Sequence, residues 1–158
     1  MNGRVGHRVG VSCLVLIVGA GLVAMARTIA MQDLPGPVRA EAEKVIAGGT
    51  LKRVVVERED GQDAYSVEAT IAGKHKEFTF SSDGTLLAEE EDIAFAKLPE
   101  AVRAAAETYF GGRRGLRAST EIAKGVTSYE VEGRKGAEKM SVTFNAEGAT
   151  LEEEKDED

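Results

Sequence analysis

Aligned against itself at an offset of 64 residues and without a gap, the chain overlays residues 34–92 on 98–156 with roughly 20 identities in about 60 positions, several times chance. Leu34-Pro35 falls on Leu98-Pro99, Val38-Arg39-Ala40 on Val102-Arg103-Ala104, Gly61 on Gly125, and Tyr65 on Tyr129. Val67-Glu68 then meets Val131-Glu132, Thr79-Phe80 meets Thr143-Phe144, and Gly84 meets Gly148. Two copies are too few for a solenoid. They read as one duplicated supersecondary unit, joined near residues 91–97.

Each copy opens with a helix. Pro37 suits a first helical turn, Val38, Ala42, Val45 and Ile46 form one apolar face, and Gly48-Gly49 stops the run. Val102, Ala106, Tyr109, Phe110 and Gly111-Gly112 fill the same places in the second copy. The apolar period then drops from about 3.6 to about 2. Strands are expected over 51–59, 64–72, 74–81 and 85–89, and again over 116–123, 128–132, 139–145 and 149–153. The expected fold class is α+β, with two tandem units of a helix plus a four-stranded antiparallel meander. Alternation turns Val54, Val56, Tyr65, Val67, Ile71, Phe78 and Phe80 toward the helix, with Tyr129, Val131, Met140, Val142 and Phe144 doing so in the second copy. The opposite face carries Arg53, Glu57, Ser66, Glu68, His75, Glu77 and Thr79, then Arg117, Ser119, Glu121, Glu130, Glu132, Ser141 and Thr143. It is expected to be open and polar.

Ahead of the repeats, residues 9–26 are uncharged and mostly apolar, and they follow a leader bearing Arg4 and Arg8. This N-terminal hydrophobic helix, within residues 1–30, has the layout of a signal peptide or a retained membrane anchor. Ala24-Met25-Ala26 offers one cleavage site, and a second lies after Ala30. Under both readings the arginines stay on the cytoplasmic side and the repeats are exported, to the periplasm or beyond.

Composition narrows the chemistry. The sole cysteine, Cys13, sits in the apolar run, and of two histidines only His75 lies in the repeats, which argues against a zinc site, a thiol nucleophile or a catalytic triad. A formal charge of −7 disfavours nucleic acid as a partner. No catalytic, metal or cofactor residue is assigned. The acidic runs 89–92 and 152–158 fall at equivalent ends of the copies and read as solvated, partly disordered segments. The alternative reading gives them a calcium-collecting role in a divalent-cation-responsive envelope protein. Gly111-Gly112-Arg113-Arg114-Gly115 follows a helix instead of preceding one, so it reads as a basic connection and not as a phosphate loop.

The Leu34-Pro35 opening, the Gly48-Gly49 stop, the Asp60-Gly61 turn, Tyr65-x-Val67-Glu68, Phe78-x-Phe80 and Asp83-Gly84 together resemble the PepSY-like, or beta-lactamase-inhibitor-like, domain of exported bacterial proteins. The second copy departs from the pattern at Glu147 and lacks the acidic Asp-Gly turn before Tyr129. The resemblance implies no catalytic residues. It implies a non-enzymatic module that grips an extracytoplasmic protein or peptide with the open sheet face or by adding a partner strand at a sheet edge, a peptidase or cell-wall enzyme being the suggested target. The residues expected to carry that contact are Arg53, Glu57, Glu68, Thr79, Arg117, Glu121, Glu132 and Thr143, with cross-strand ion pairs available between the arginines and Glu68 or Glu132.

Overall fold

The computed structural model describes residues 26–59 and 61–155. Most of the segment expected to be a signal or anchor, residues 1–25, lies outside the described residues; among these, no helix is long and apolar enough to cross a membrane. In chain order the elements are β1 (Arg27–Ile29), α1 (Gly36–Val45), β2 (Thr50–Glu59), β3 (Gln62–Ile71), β4 (Lys74–Ser81), β5 (Leu86–Ile93), α2 (Glu100–Phe110), β6 (Arg117–Ala123), β7 (Val126–Lys135), β8 (Glu138–Phe144) and β9 (Thr150–Lys155). The nine strands form a single antiparallel sheet in sequential order, an α+β arrangement. Each helix is inserted between two neighbouring strands, α1 between β1 and β2 and α2 between β5 and β6.

Both helices lie on one face. Val38 and Ala42 of α1 pack with Leu34, Val54, Val67, Phe78 and Phe80, while Val102 and Ala106 of α2 pack with Leu98, Ala118, Val131, Val142 and Phe144. The register explains the match, since Val54 pairs with Val67 and Val67 with Phe78, just as Ala118 pairs with Val131 and Val131 with Val142. Burying each Val, Leu or Phe among them stabilises the fold by about 1.5–3 kcal/mol, which is what holds helices this short against the sheet. Two glycines set how closely the helices approach. A Cβ on Gly84 would stand 2.9 Å from the Pro37 carbonyl oxygen, and one on Gly148 would stand 2.6 Å from that of Ala101.

The strands run longer than alternation alone indicates. β5 extends to Ile93, so residues 89–92 are not a solvated segment but the central strand of the sheet, paired to β4 on one side and β6 on the other. Glu89 and Glu91 meet the Lys76 ammonium at 2.8 Å each, and Lys74 also bonds Glu91, which is why a run of four acids tolerates a strand. Residues 152–154 likewise belong to β9. The expected join near 91–97 is therefore shorter, a single 3₁₀ turn at Phe95–Lys97 before α2. β1, pairing Arg27, Thr28 and Ile29 with Val56, Val55 and Val54, was not foreseen. It begins directly after the first cleavage site read in the sequence and would be lost by cutting at the second.

Candidate functional site

The face that carries no helix presents an unbroken cross-strand row. Arg53 of β2 stands opposite Glu68 of β3, Glu68 opposite Glu77 of β4, Glu77 opposite Glu90 of β5, Glu90 opposite Glu121 of β6, and Glu121 opposite Ser128 of β7. A second row runs from Asp92 through Ser119, Glu130 and Thr143 to Glu152, and a third from Arg117 through Glu132 and Ser141 to Glu154. All eight residues expected to form the contact surface point to this face. Arg53 pairs with Glu68, its Nε 2.8 Å from the carboxylate, and Arg117 pairs with Glu132 at 3.2 Å. Thr79 is buried under a 2.9 Å hydrogen bond to Ser66, so it supports the face without being available to a partner.

The face is recessed where it was expected to be open. Val55, Ser66, Glu77, Thr79, Ala88, Ser119, Glu130 and Ser141 are buried, Glu77 to 6% exposure and Glu130 to 7%, although no helix covers them. Neighbouring side chains there close over one another, Ser66 bonding Thr79 and Ser141 bonding Glu130. The residues missed in the sequence lie there: Glu77 and Glu130 had only a place on the face, and Glu90 was hidden in an acidic run.

Burial decides their ionisation. Desolvation pushes the Glu90 carboxyl up to about 9, and the charges of Glu130, Glu77 and Glu121 add to it against a hydrogen bond from Ser119. Glu77 rises to about 7, again through burial first, with Ser66 and Arg53 acting the other way. Glu121 is raised by burial too, and its Oε1 is buried with no hydrogen-bond partner. Near neutral pH the centre of the face thus holds a protonated Glu90 beside a Glu77 that is partly ionised. Each buried acid has a serine. Ser66 bonds Glu77 in the first half, while in the second half Ser141 bonds Glu130. At the 64-residue offset these are the same two positions with acid and hydroxyl exchanged, so either strand of the pair can carry the acid but each half keeps one.

Raised carboxyl pKa values also belong to glycosidase sites. There, two acids flank a bound sugar across a cleft. Here Glu77 and Glu90 stand side by side on adjacent strands and point the same way, leaving no space between them for a substrate. His75, opposite Thr70, is part-buried. Among the described residues no group of three or more acids, histidines or cysteines is arranged to hold a metal ion.

No protein-family model matches the sequence, and no match is found among curated proteins. Solved structures do match. A candidate periplasmic protein from Bacteroides eggerthii aligns with a TM-score of 0.60 at 17% identity, over 77% of this chain and 88% of that one. A DUF2874 family protein from Bacteroides ovatus gives 0.59 at 16%, over 77% and 87%. A BLIP-like protein from Bacteroides fragilis gives 0.57 at 18%, over 77% and 86%. At such identities the likeness is one of architecture, and what this chain shares with these proteins is a BLIP-like fold.

Proposed function

We propose that the protein is a non-enzymatic module of the periplasm or cell exterior that binds another protein through the helix-free face of its sheet. The observation that carries this reading is the row Glu68, Glu77, Glu90 and Glu121, four acids set directly opposite one another across four strands. Burial first and then mutual repulsion raise the carboxyls of Glu77 and Glu90, and folding alone gives no reason to gather acids under that strain where no helix covers them. A partner presenting lysine or arginine from a protruding loop relieves that repulsion on docking, and Arg53 and Arg117 at the margins fix its register. An exported peptidase or cell-wall enzyme is the class of partner that the PepSY-like resemblance suggests, and inhibition then needs only shape and charge. The leader with Arg4 and Arg8 and the candidate periplasmic protein of like fold support export. Descent from one duplicated helix-plus-four-strand unit is supported by the 64-residue identity and by Gly84 and Gly148 meeting equivalent helix positions.

Affinity capture of extracytoplasmic proteins on the wild-type protein, on Glu68→Lys with Glu121→Lys, and on Arg39→Glu tests the proposal. A partner held by the wild type and by the helix-face variant, and released by the double charge reversal, is the expected result. A partner indifferent to Glu68 and Glu121 but lost with Arg39→Glu places the contact on the other side and overturns it.

A further inference from the structure

On the opposite side of the sheet, independent of the face just discussed, the flank of α2 and the loop that follows it enclose a hollow of about 660 Å³. Three arginines line it: Arg103 from α2, and Arg113 and Arg114 from the loop. Phe95 and Phe110, which also pack against the second core cluster, supply its apolar lining, and Glu107 is the one acid that lines it. Several cations of this acidic chain are matched to carboxylates, as in Arg53 with Glu68, Lys76 with Glu89 and Glu91, and Lys155 with Glu138, while others such as Arg39 and Lys52 stand apart on exposed surface. Around the hollow none is matched. Among the described residues Arg103, Arg113 and Arg114 make no ion pair, Glu107 included, and the Arg103 Nε–H is buried with no acceptor. Nor do the loop arginines serve to cap the helix, because the left-handed Gly111 and the Gly112 N–H, 2.8 Å from the Glu107 carbonyl, close its C-terminus by backbone alone.

Collecting three positive charges around one hollow works against folding, and a buried donor without an acceptor costs stability until something accepts from it. Guanidinium forks match the paired oxygens of a carboxylate or phosphate, and two phenyl walls suit an apolar body of modest size. We infer that this hollow is a binding site for an oxyanion carried on a small apolar body, with Arg103, Arg113 and Arg114 holding the head group and Phe95 and Phe110 the remainder. The Arg103 Nε–H then has its acceptor. The repeat offers a control within the molecule, since Arg39 of α1 occupies the position equivalent to Arg103 and is exposed.

Calorimetric titration of the purified exported protein with hexanoate and with hexyl phosphate tests this, with hexanol and inorganic phosphate as probes lacking head or body. Saturable 1:1 binding of either amphiphile, about ten-fold or more tighter than of either fragment probe, is expected. Binding of one head group alone assigns the natural ligand to carboxylates or to phosphates. Arg103→Gln, and separately Arg113→Gln with Arg114→Gln, each weaken binding about ten-fold, whereas Arg39→Gln leaves it unchanged. No heat with either amphiphile at millimolar concentration overturns the assignment. So does affinity unchanged in the Arg113/Arg114 variant, which lies on an exposed loop and does not depend on the fold tolerating a change at Arg103.

Discussion

Glu77 and Glu90 face each other across β4 and β5 with their carboxyls raised to about 7 and about 9 from an ordinary 4.5. Both bind a proton more tightly folded than unfolded, so their contribution to stability is complete below pH 4.5 and is lost as pH rises through 7 and then 9. Glu91 works in the opposite sense: Lys74 and Lys76 hold its carboxyl below the usual range, and its contribution fades as pH falls into acid. Urea denaturation should therefore show greater stability near pH 5 than at alkaline pH. Glu90→Gln, which keeps hydrogen-bonding capacity toward Ser119 but cannot ionise, should flatten that decline and raise alkaline stability by on the order of 1–3 kcal/mol. An unaltered pH slope in the variant would mean that Glu90 ionises as it does in water. The sequence made these residues visible only in part. Alternation put Glu77 and Glu130 on the right face, but within Glu89-Glu90-Glu91-Asp92 every residue is acidic, so no contrast marks which side chains point inward.

Helices and hairpins were the most legible elements, because their signals are local. The β3–β4 and β6–β7 loops are two residues long, and Ala72-Gly73 and Lys124-Gly125 all have positive φ, the turn whose twist suits adjoining antiparallel strands. Helix docking, by contrast, depends on contacts far apart in sequence. At φ +88° and +80°, Gly84 and Gly148 each combine a left-handed backbone with a helix carbonyl inside Cβ contact distance. Replacement of either by Ala should cost about 2–4 kcal/mol in denaturant titrations, the sum of backbone strain and displaced helix. Gly61→Ala, at φ +79° but facing open space, should cost only about 1–2 kcal/mol. Equal losses at all three positions would show that conformation alone, and not helix approach, governs the effect.

Across the whole molecule, the two apolar clusters are separate, and what joins them is the β5–β6 ladder from Ala88↔Ala123 to Ile93↔Ala118. A seam of six residue pairs inside a continuous sheet couples the halves, so the wild type should unfold in one calorimetric transition. Proline at Thr120, in the middle of that seam, removes a backbone donor from a central strand and should split the transition into two. A single unbroken transition in Thr120→Pro would locate the coupling elsewhere. Residue order alone made legible the self-similarity at an offset of 64, the order of helices and strands and the face to which most side chains turn, because periodicity is set by the local geometry of the backbone. It took the tertiary structure to show that all nine strands form one sheet, that the middle of the helix-free face is buried, and that three arginines line one hollow. Those outcomes depend on which surfaces lose water and which charges become neighbours, and dehydration and Coulomb interaction act between residues that chain order does not bring together.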